Sequence, residues 1–135
     1  MVIQLKSSLY AGLCGLIYVA LAWLVVRARW RYKVNLGAGT EPGMERAIRV
    51  HANFAEYVPL LLVLLTLAEV EGLPATAVHA AGTVLIASRL LHAWGLSQHS
   101  GRSFGRFYGT AGTWLLLASL SVYLVAGPLL GWSRG

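Results

Sequence analysis

The sequence is poor in charge, and the charges that it has are unevenly divided. Only 12% of its 135 residues are charged, whereas 57% are hydrophobic. All five acidic residues are glutamates, no aspartate occurs, and eleven lysines and arginines bring the formal net charge to +6. Because an ordinary soluble domain carries about twice this charged fraction, we expect lipid to be the solvent for most of the chain. The charges are also too few to favour nucleic-acid binding.

Cysteine is the second shortage. The single Cys14 excludes an intramolecular disulfide, and since it lies in an apolar run we interpret it as a packing residue. Without aspartate, a second cysteine or a compact histidine pair, the sequence offers no ligand set for a metal ion, so we expect no metal site. Catalytic triads are missing too, and the glycine-containing segment 101–106 lacks the lysine and Ser/Thr end of a phosphate-binding loop.

Long apolar stretches are what the sequence has in abundance. A helix needs about 20 such residues to cross a bilayer, and four stretches qualify: 8–26, 48–68, 73–96 and 110–130. The first is too long for the core of a signal peptide, so we expect it to remain as a membrane helix. Small residues at helical spacing, such as Gly105/Gly109 and Gly109/Gly112, allow close contact between helices. We therefore predict a single domain over 1–135, an all-α membrane protein folded as an up-down-up-down bundle of four transmembrane helices.

Basic residues set the expected orientation of this bundle. They cluster in the first and third loops and are scarce at the two termini. Because cytoplasmic loops carry an excess of lysine and arginine, we expect loops one and three in the cytoplasm and both termini outside.

The second stretch carries polar side chains that a membrane helix should not tolerate. At 100° per residue, they fall within an arc of about 100°, and they are Arg46, Arg49, Asn53, Glu56 and Tyr57. A charged residue deep in a span costs about 2.5 to 3.5 kcal/mol on insertion scales, so it usually marks a functional site. The alternative is an ion pair between Arg49 and Glu56 that serves only to lock helices together.

Antiparallel threading brings further polar residues to the same end of the bundle. Arg29 follows the first span, Arg89 and His92 lie one turn apart near the end of the third, and Arg102 and Arg106 precede the fourth. A pocket there would combine several guanidinium groups with the carboxylate and amide of the second span. Guanidinium groups bind carboxylates in pairs of hydrogen bonds, so such a pocket suits a small zwitterion with more than one anionic group.

These residues resemble the signature of the MAPEG family, the membrane-associated proteins of eicosanoid and glutathione metabolism, which includes microsomal glutathione transferases. The second-helix motif reads Glu45-Arg46, then Arg49-x-x-x-Asn53-x-x-Glu56-Tyr57-x-Pro59. The four-span plan, the basic first loop, the Arg89-x-x-His92 step and the Arg102-x-x-x-Arg106 pair also match, so the resemblance covers nearly the whole chain. By length, the chain is most similar to bacterial glutathione-transferase-like members.

The resemblance implies a homotrimer of four-helix bundles that binds glutathione in a cytoplasm-facing cleft between neighbouring subunits. It implies a catalytic role for Arg106, with Arg102 as a nearby alternative, because a cation beside the thiol favours the nucleophilic thiolate. The positions that it implies for holding the tripeptide are Arg29, Arg49, Asn53, Glu56, Tyr57, Arg89 and His92.

Two positions depart from the eicosanoid-forming members of the family. Leu96 stands where those enzymes frequently have tyrosine, and Phe107 stands where the prostaglandin-forming members have serine. These departures favour a general conjugating activity over an eicosanoid synthase.

The leading hypothesis is therefore an integral membrane glutathione transferase of the bacterial inner membrane, acting on hydrophobic electrophiles that enter from the lipid. Glutathione peroxidase activity is a further expectation. The alternative is a non-catalytic membrane scaffold or lipid-binding member of the same fold. A small multidrug transporter fits less well, because that class has its essential glutamate in the first span, which is uncharged here.

Overall fold

The predicted helices all form. A computed structural model describes residues 4–98, 101 and 103–131 of the chain. These residues form four helices, namely α1 (Ser7–Tyr32), α2 (Pro42–Val70), α3 (Ala75–Gln98) and α4 (Phe104–Leu130). Among the described residues, α1, α2 and α4 are long and apolar enough to cross a membrane. The all-α membrane bundle is thus confirmed, while a full crossing by α3, which carries the three buried polar residues Ser88, Arg89 and His92, stays a prediction.

Residues suited to helix ends set the limits of these elements. Lys33 follows α1 in the left-handed conformation, with φ of 54°. Pro42 opens α2, where its missing N–H group is not needed. Ser103 precedes α4, and its hydroxyl oxygen accepts the backbone N–H of Arg106 at 3.3 Å. The helices α1, α2 and α4 therefore begin before the apolar stretches that predict them, whereas α3 begins at Ala75, two residues inside its stretch.

Contacts at the end of the bundle that holds the start of α1 show how the first two helices run. The carboxylate of Glu69, at the end of α2, accepts the backbone N–H groups of Lys6 and Ser7, at 2.5 and 2.8 Å. The start of α1 therefore lies beside the end of α2, and the two helices are antiparallel. We call the opposite end, which holds the α1–α2 connection (33–41), the loop-one end.

Among the described residues, the helix α2 contributes more buried apolar side chains than any other helix. Apart from Met44 in the first turn, they recur every three or four residues, as one face of a helix requires, and they are Val50, Phe54, Val58, Leu61, Leu65 and Ala68. At 100° per residue, the polar stripe of the same helix is centred roughly 110° away from this buried face. Burial of the apolar face therefore turns the polar stripe toward the side of the bundle where α3 and α4 lie.

The helices α3 and α4 approach each other closely because glycine occupies their contact. A Cβ atom on Gly105 would lie 2.6 Å from the carbonyl oxygen of Leu91, and one on Gly109 would lie 2.7 Å from the backbone nitrogen of His92. The prediction that Gly105 and Gly109 allow close helix contact is confirmed. This approach also brings His92 of α3 beside the first turns of α4.

We expect the substitution Gly109→Ala to destabilise the bundle. The added methyl group would overlap backbone atoms of α3, and overpacking of this kind costs about 1–3 kcal/mol of the free energy of unfolding. Thermal unfolding in detergent measures the effect. Gly12→Ala is the matched control, since a Cβ at Gly12 meets no atom within 4 Å. Equal melting temperatures for the two variants would contradict the close α3–α4 packing.

Candidate functional site

A polar cleft of about 230 Å³ opens at the loop-one end between α2, α3 and α4. The residues that line it are Pro42, Glu45, Arg46, Arg49, Asn53, His92, Leu96 and Arg106. Three of these side chains carry guanidinium groups and one carries a carboxylate, so the cleft has a surplus of positive charge. Such a surplus attracts anionic ligands. We refer to this feature as the polar cleft.

A larger cleft of about 600 Å³ lies against it along α4. It is lined by His92, Ser103, Arg106, Phe107, Thr110, Ala111 and Trp114. Apart from its end at Ser103, this apolar cleft presents mainly hydrocarbon and aromatic surface. His92 and Arg106 line both clefts and so form their common wall. The Arg106 side chain is oriented by a hydrogen bond from its Nη1 to the carbonyl oxygen of Gly101, at 2.6 Å.

Arg49 and Glu56, both predicted ligand-binding residues, form an ion pair with 3.6 Å between Nη1 and Oε1. Both side chains are about half exposed, at 52% and 51%. The pair lies within α2, two helical turns apart, so it cannot hold two helices together. This geometry argues against the interpretation of these two charges as a lock between helices.

Arg89 is placed differently from the other arginines, because it is buried at 2% exposure. Its Nη2 donates to Oδ1 of Asn53 at 2.5 Å, and its Nη1 donates to Oγ1 of Thr113 at 2.9 Å. The guanidinium carbon also lies 5.6 Å from the centre of the Tyr57 ring. Arg89 therefore joins α2, α3 and α4 from inside the bundle and does not line the polar cleft.

Tyr57 links the polar stripe to the apolar cleft. Its hydroxyl oxygen accepts a hydrogen bond from Nε1 of Trp114, at 3.1 Å. Since Trp114 lines the apolar cleft, Tyr57 supports the wall of that cleft from behind while its ring packs over Arg89.

The remaining predicted residues are not all at the clefts. Arg29 lies at the end of α1, where its Nη1 donates to the carbonyl oxygens of Val34, Asn35 and Gly37, at 3.2 to 3.3 Å. It orders the first loop and does not line the polar cleft of its own chain. Arg102, the alternative catalytic residue, lies outside the described residues.

Two residues that contribute to this arrangement, Thr113 and Trp114, were not predicted from the sequence. Thr113 is fully buried and pairs with Arg89. The spacing of Arg106, Thr110 and Thr113 puts these three side chains on one face of α4, and this signal would have drawn attention to Thr113. Across residues 4–98, 101 and 103–131, no three His, Cys, Asp or Glu side chains come close enough to hold a metal ion.

Comparison with known proteins agrees with the residue pattern. The model of the MAPEG family matches residues 7–126. The inner membrane protein YecN of Escherichia coli K12 is 38% identical over 111 residues, which cover 82% of this chain and 83% of YecN. Leukotriene C4 synthase of Cavia porcellus is 35% identical over 107 residues, which cover 76% of this chain and 69% of that enzyme. With its four helices and its second-helix polar motif, the chain belongs to the MAPEG family.

Proposed function

We propose that the protein is an integral membrane glutathione transferase that activates the thiol of glutathione for attack on hydrophobic electrophiles. The observation that carries this proposal is the common wall of the two clefts, formed by His92 and Arg106. A sulfur atom held at this wall has a cation-rich cleft on one side and an apolar cleft on the other. The similarity to leukotriene C4 synthase also supports the proposed activity.

The polar cleft has the charges that glutathione needs. The tripeptide carries two carboxylates and one ammonium group at neutral pH. Arg46 and Arg49 are placed to bind carboxylates through charge-assisted hydrogen bonds. Glu45, on the same wall, and Glu56, which pairs with Arg49, supply the negative charges that an ammonium group requires.

Arg106 is the residue proposed to stabilise the thiolate. A guanidinium group close to the sulfur lowers the pKa of the thiol, so more of the bound glutathione is ionised at neutral pH. The thiolate, and not the thiol, is the nucleophile. The proton released on ionisation passes to water at the open mouth of the polar cleft.

The apolar cleft is the proposed site of the second substrate. Phe107, Ala111 and Trp114 line it, and Phe107 and Trp114 are more than half exposed. An electrophile dissolved in the bilayer can therefore enter without crossing water. With an aryl halide, the sulfur forms the new carbon–sulfur bond and the halide leaves with the electron pair of the broken carbon–halogen bond.

The proposal includes assembly and orientation. We propose a homotrimer in which both clefts face the neighbouring subunit, and mass measurement in detergent tests this. The excess of arginine and lysine at the loop-one end favours a cytoplasmic position for that end, in the bacterial inner membrane.

Conjugation of glutathione to a dinitrophenyl halide by the detergent-purified protein tests the proposal. We expect thioether formation above the spontaneous rate, with saturation at high glutathione concentration. The variant Arg31→Ala should conjugate glutathione at the wild-type rate, because Arg31 is an exposed arginine that lines neither cleft. If the protein neither binds nor conjugates glutathione, the proposal is wrong, and a non-catalytic scaffold or lipid-binding member of the family takes its place.

A further inference from the structure

We infer that Arg89 does not contact the ligand but fixes the amide of Asn53, so that Asn53 faces the polar cleft as a hydrogen-bond donor and recognises an acceptor oxygen of the bound molecule. The identity of that molecule as glutathione rests on the proposed function. In glutathione the matching groups are the carboxylates and the peptide carbonyls.

The direction of the hydrogen bonds around Arg89 follows from their chemistry. A guanidinium group has only donors. Its partners must therefore accept, and both do: Oδ1 of Asn53 at 2.5 Å and Oγ1 of Thr113 at 2.9 Å. Thr113 in turn donates its hydroxyl proton to the carbonyl oxygen of Gly109, at 2.7 Å. The hydroxyl proton of Thr113 is thus already used, which leaves its oxygen to accept from Arg89.

This arrangement determines how the Asn53 amide is oriented. If the amide were turned over, its NH₂ group would meet the N–H groups of Arg89, and two donors would face each other. Such a contact leaves buried donors without acceptors, which is strongly unfavourable. The oxygen of Asn53 is therefore held on the Arg89 side and its NH₂ group is directed to the other side.

Burial keeps Arg89 itself away from the ligand. Arg89 and Thr113 are exposed at 2% and 0%, whereas Asn53 is partly exposed and lines the polar cleft. The ring of Tyr57 covers one side of the guanidinium group. Arg89 is thus a positioning residue that acts through Asn53.

The consequence for recognition is a wall rich in donors. Arg46, Arg49 and Arg106 offer only donors, and the oriented Asn53 adds another. Glu45 is the only carboxylate among the described residues that line the polar cleft. The cleft therefore selects a ligand with several acceptor oxygens and few amine groups.

The substitution Asn53→Asp tests the cleft side of residue 53 independently of its contact with Arg89. The aspartate keeps an oxygen for Arg89 but presents an acceptor to the cleft in place of a donor. We expect its melting temperature in detergent to equal or exceed that of the wild type, whereas Asn53→Leu, which offers Arg89 no partner, melts lower or does not fold. We also expect the Kd for glutathione to rise about 10-fold or more, since a donor–acceptor pair becomes an acceptor–acceptor contact.

Salt dependence distinguishes the lost hydrogen bond from a general effect of the added charge. Screening by salt weakens long-range repulsion between exposed charges, so a tenfold loss that persists at high salt supports the inference. A loss that disappears at high salt, or wild-type affinity in Asn53→Asp, overturns it. A melting temperature of Asn53→Asp as low as that of Asn53→Leu also overturns it. If the wild type binds no glutathione, the proposed function fails, while the comparison of melting temperatures still tests whether Arg89 depends on an acceptor at position 53.

Discussion

The variant Arg106→Ala is expected to bind glutathione but to conjugate it about 100 times more slowly than the wild type, the usual order of loss when one donor to a developing anion is removed. Arg106 lies in the wall common to both clefts. Without its guanidinium group, the pKa of the bound thiol returns toward its value in solution, so less thiolate forms at neutral pH. The rate of conjugation at saturating glutathione measures the effect, and its pH dependence should move to higher pH.

Arg31→Ala serves as the control for this variant, because it removes an exposed arginine that lines neither cleft. Its rate and pH dependence should match those of the wild type. If Arg106→Ala retains the full rate of conjugation, the thiolate is stabilised by Arg102 or by another group, and the assignment of Arg106 is wrong.

Loss of affinity, and not of rate, is the expected result at the Arg49–Glu56 pair. We expect Arg49→Ala to raise the Kd for glutathione about 10- to 100-fold, because a hydrogen bond to a charged group contributes about 1.5–3 kcal/mol. Part of this loss comes from Glu56, whose carboxylate is left without its partner at 3.6 Å and repels the carboxylates of the ligand. Isothermal titration calorimetry in detergent measures the Kd.

The double variant Arg49→Ala/Glu56→Gln separates the two contributions. Removal of the unpaired carboxylate should recover part of the affinity that Arg49→Ala loses. Glu56→Gln alone should weaken binding as well, since it removes a negative charge available to the ammonium group of the ligand. Wild-type affinity in all three variants would show that the pair lies outside the binding site.

The helices were predictable because their signal is local. Apolar runs of the required length predict each helix, but they mark only the part that lies in hydrocarbon. The helix α2 begins at Pro42 and not at residue 48, and α4 begins at Phe104 and not at residue 110. Proline in the first turn and the hydroxyl cap of Ser103 fix these ends, and neither residue belongs to an apolar stretch.

The candidate site was predictable only in part. Helical periodicity placed Arg49 and Asn53 on one face of α2, and the structure brings both to the polar cleft. The sequence could not show that Arg89 donates to Asn53, because that contact depends on the distance between α2 and α3. It could not show that Thr113 accepts a hydrogen bond from Arg89 either. A hydroxyl in an apolar helix usually bonds to its own helix backbone. Thr113 does this at Gly109 and pairs with Arg89 as well.

The ultraviolet absorbance of the thiolate on addition of glutathione to the detergent-purified protein shows whether the protein ionises the bound thiol. Free glutathione is mainly thiol at neutral pH, so thiolate absorbance that grows with added glutathione and saturates reports ionisation in the bound state. Stabilisation of the thiolate by Arg106 predicts such a saturable signal in the wild type and its loss in Arg106→Ala. Saturable binding of glutathione without any thiolate signal in the wild type would contradict it.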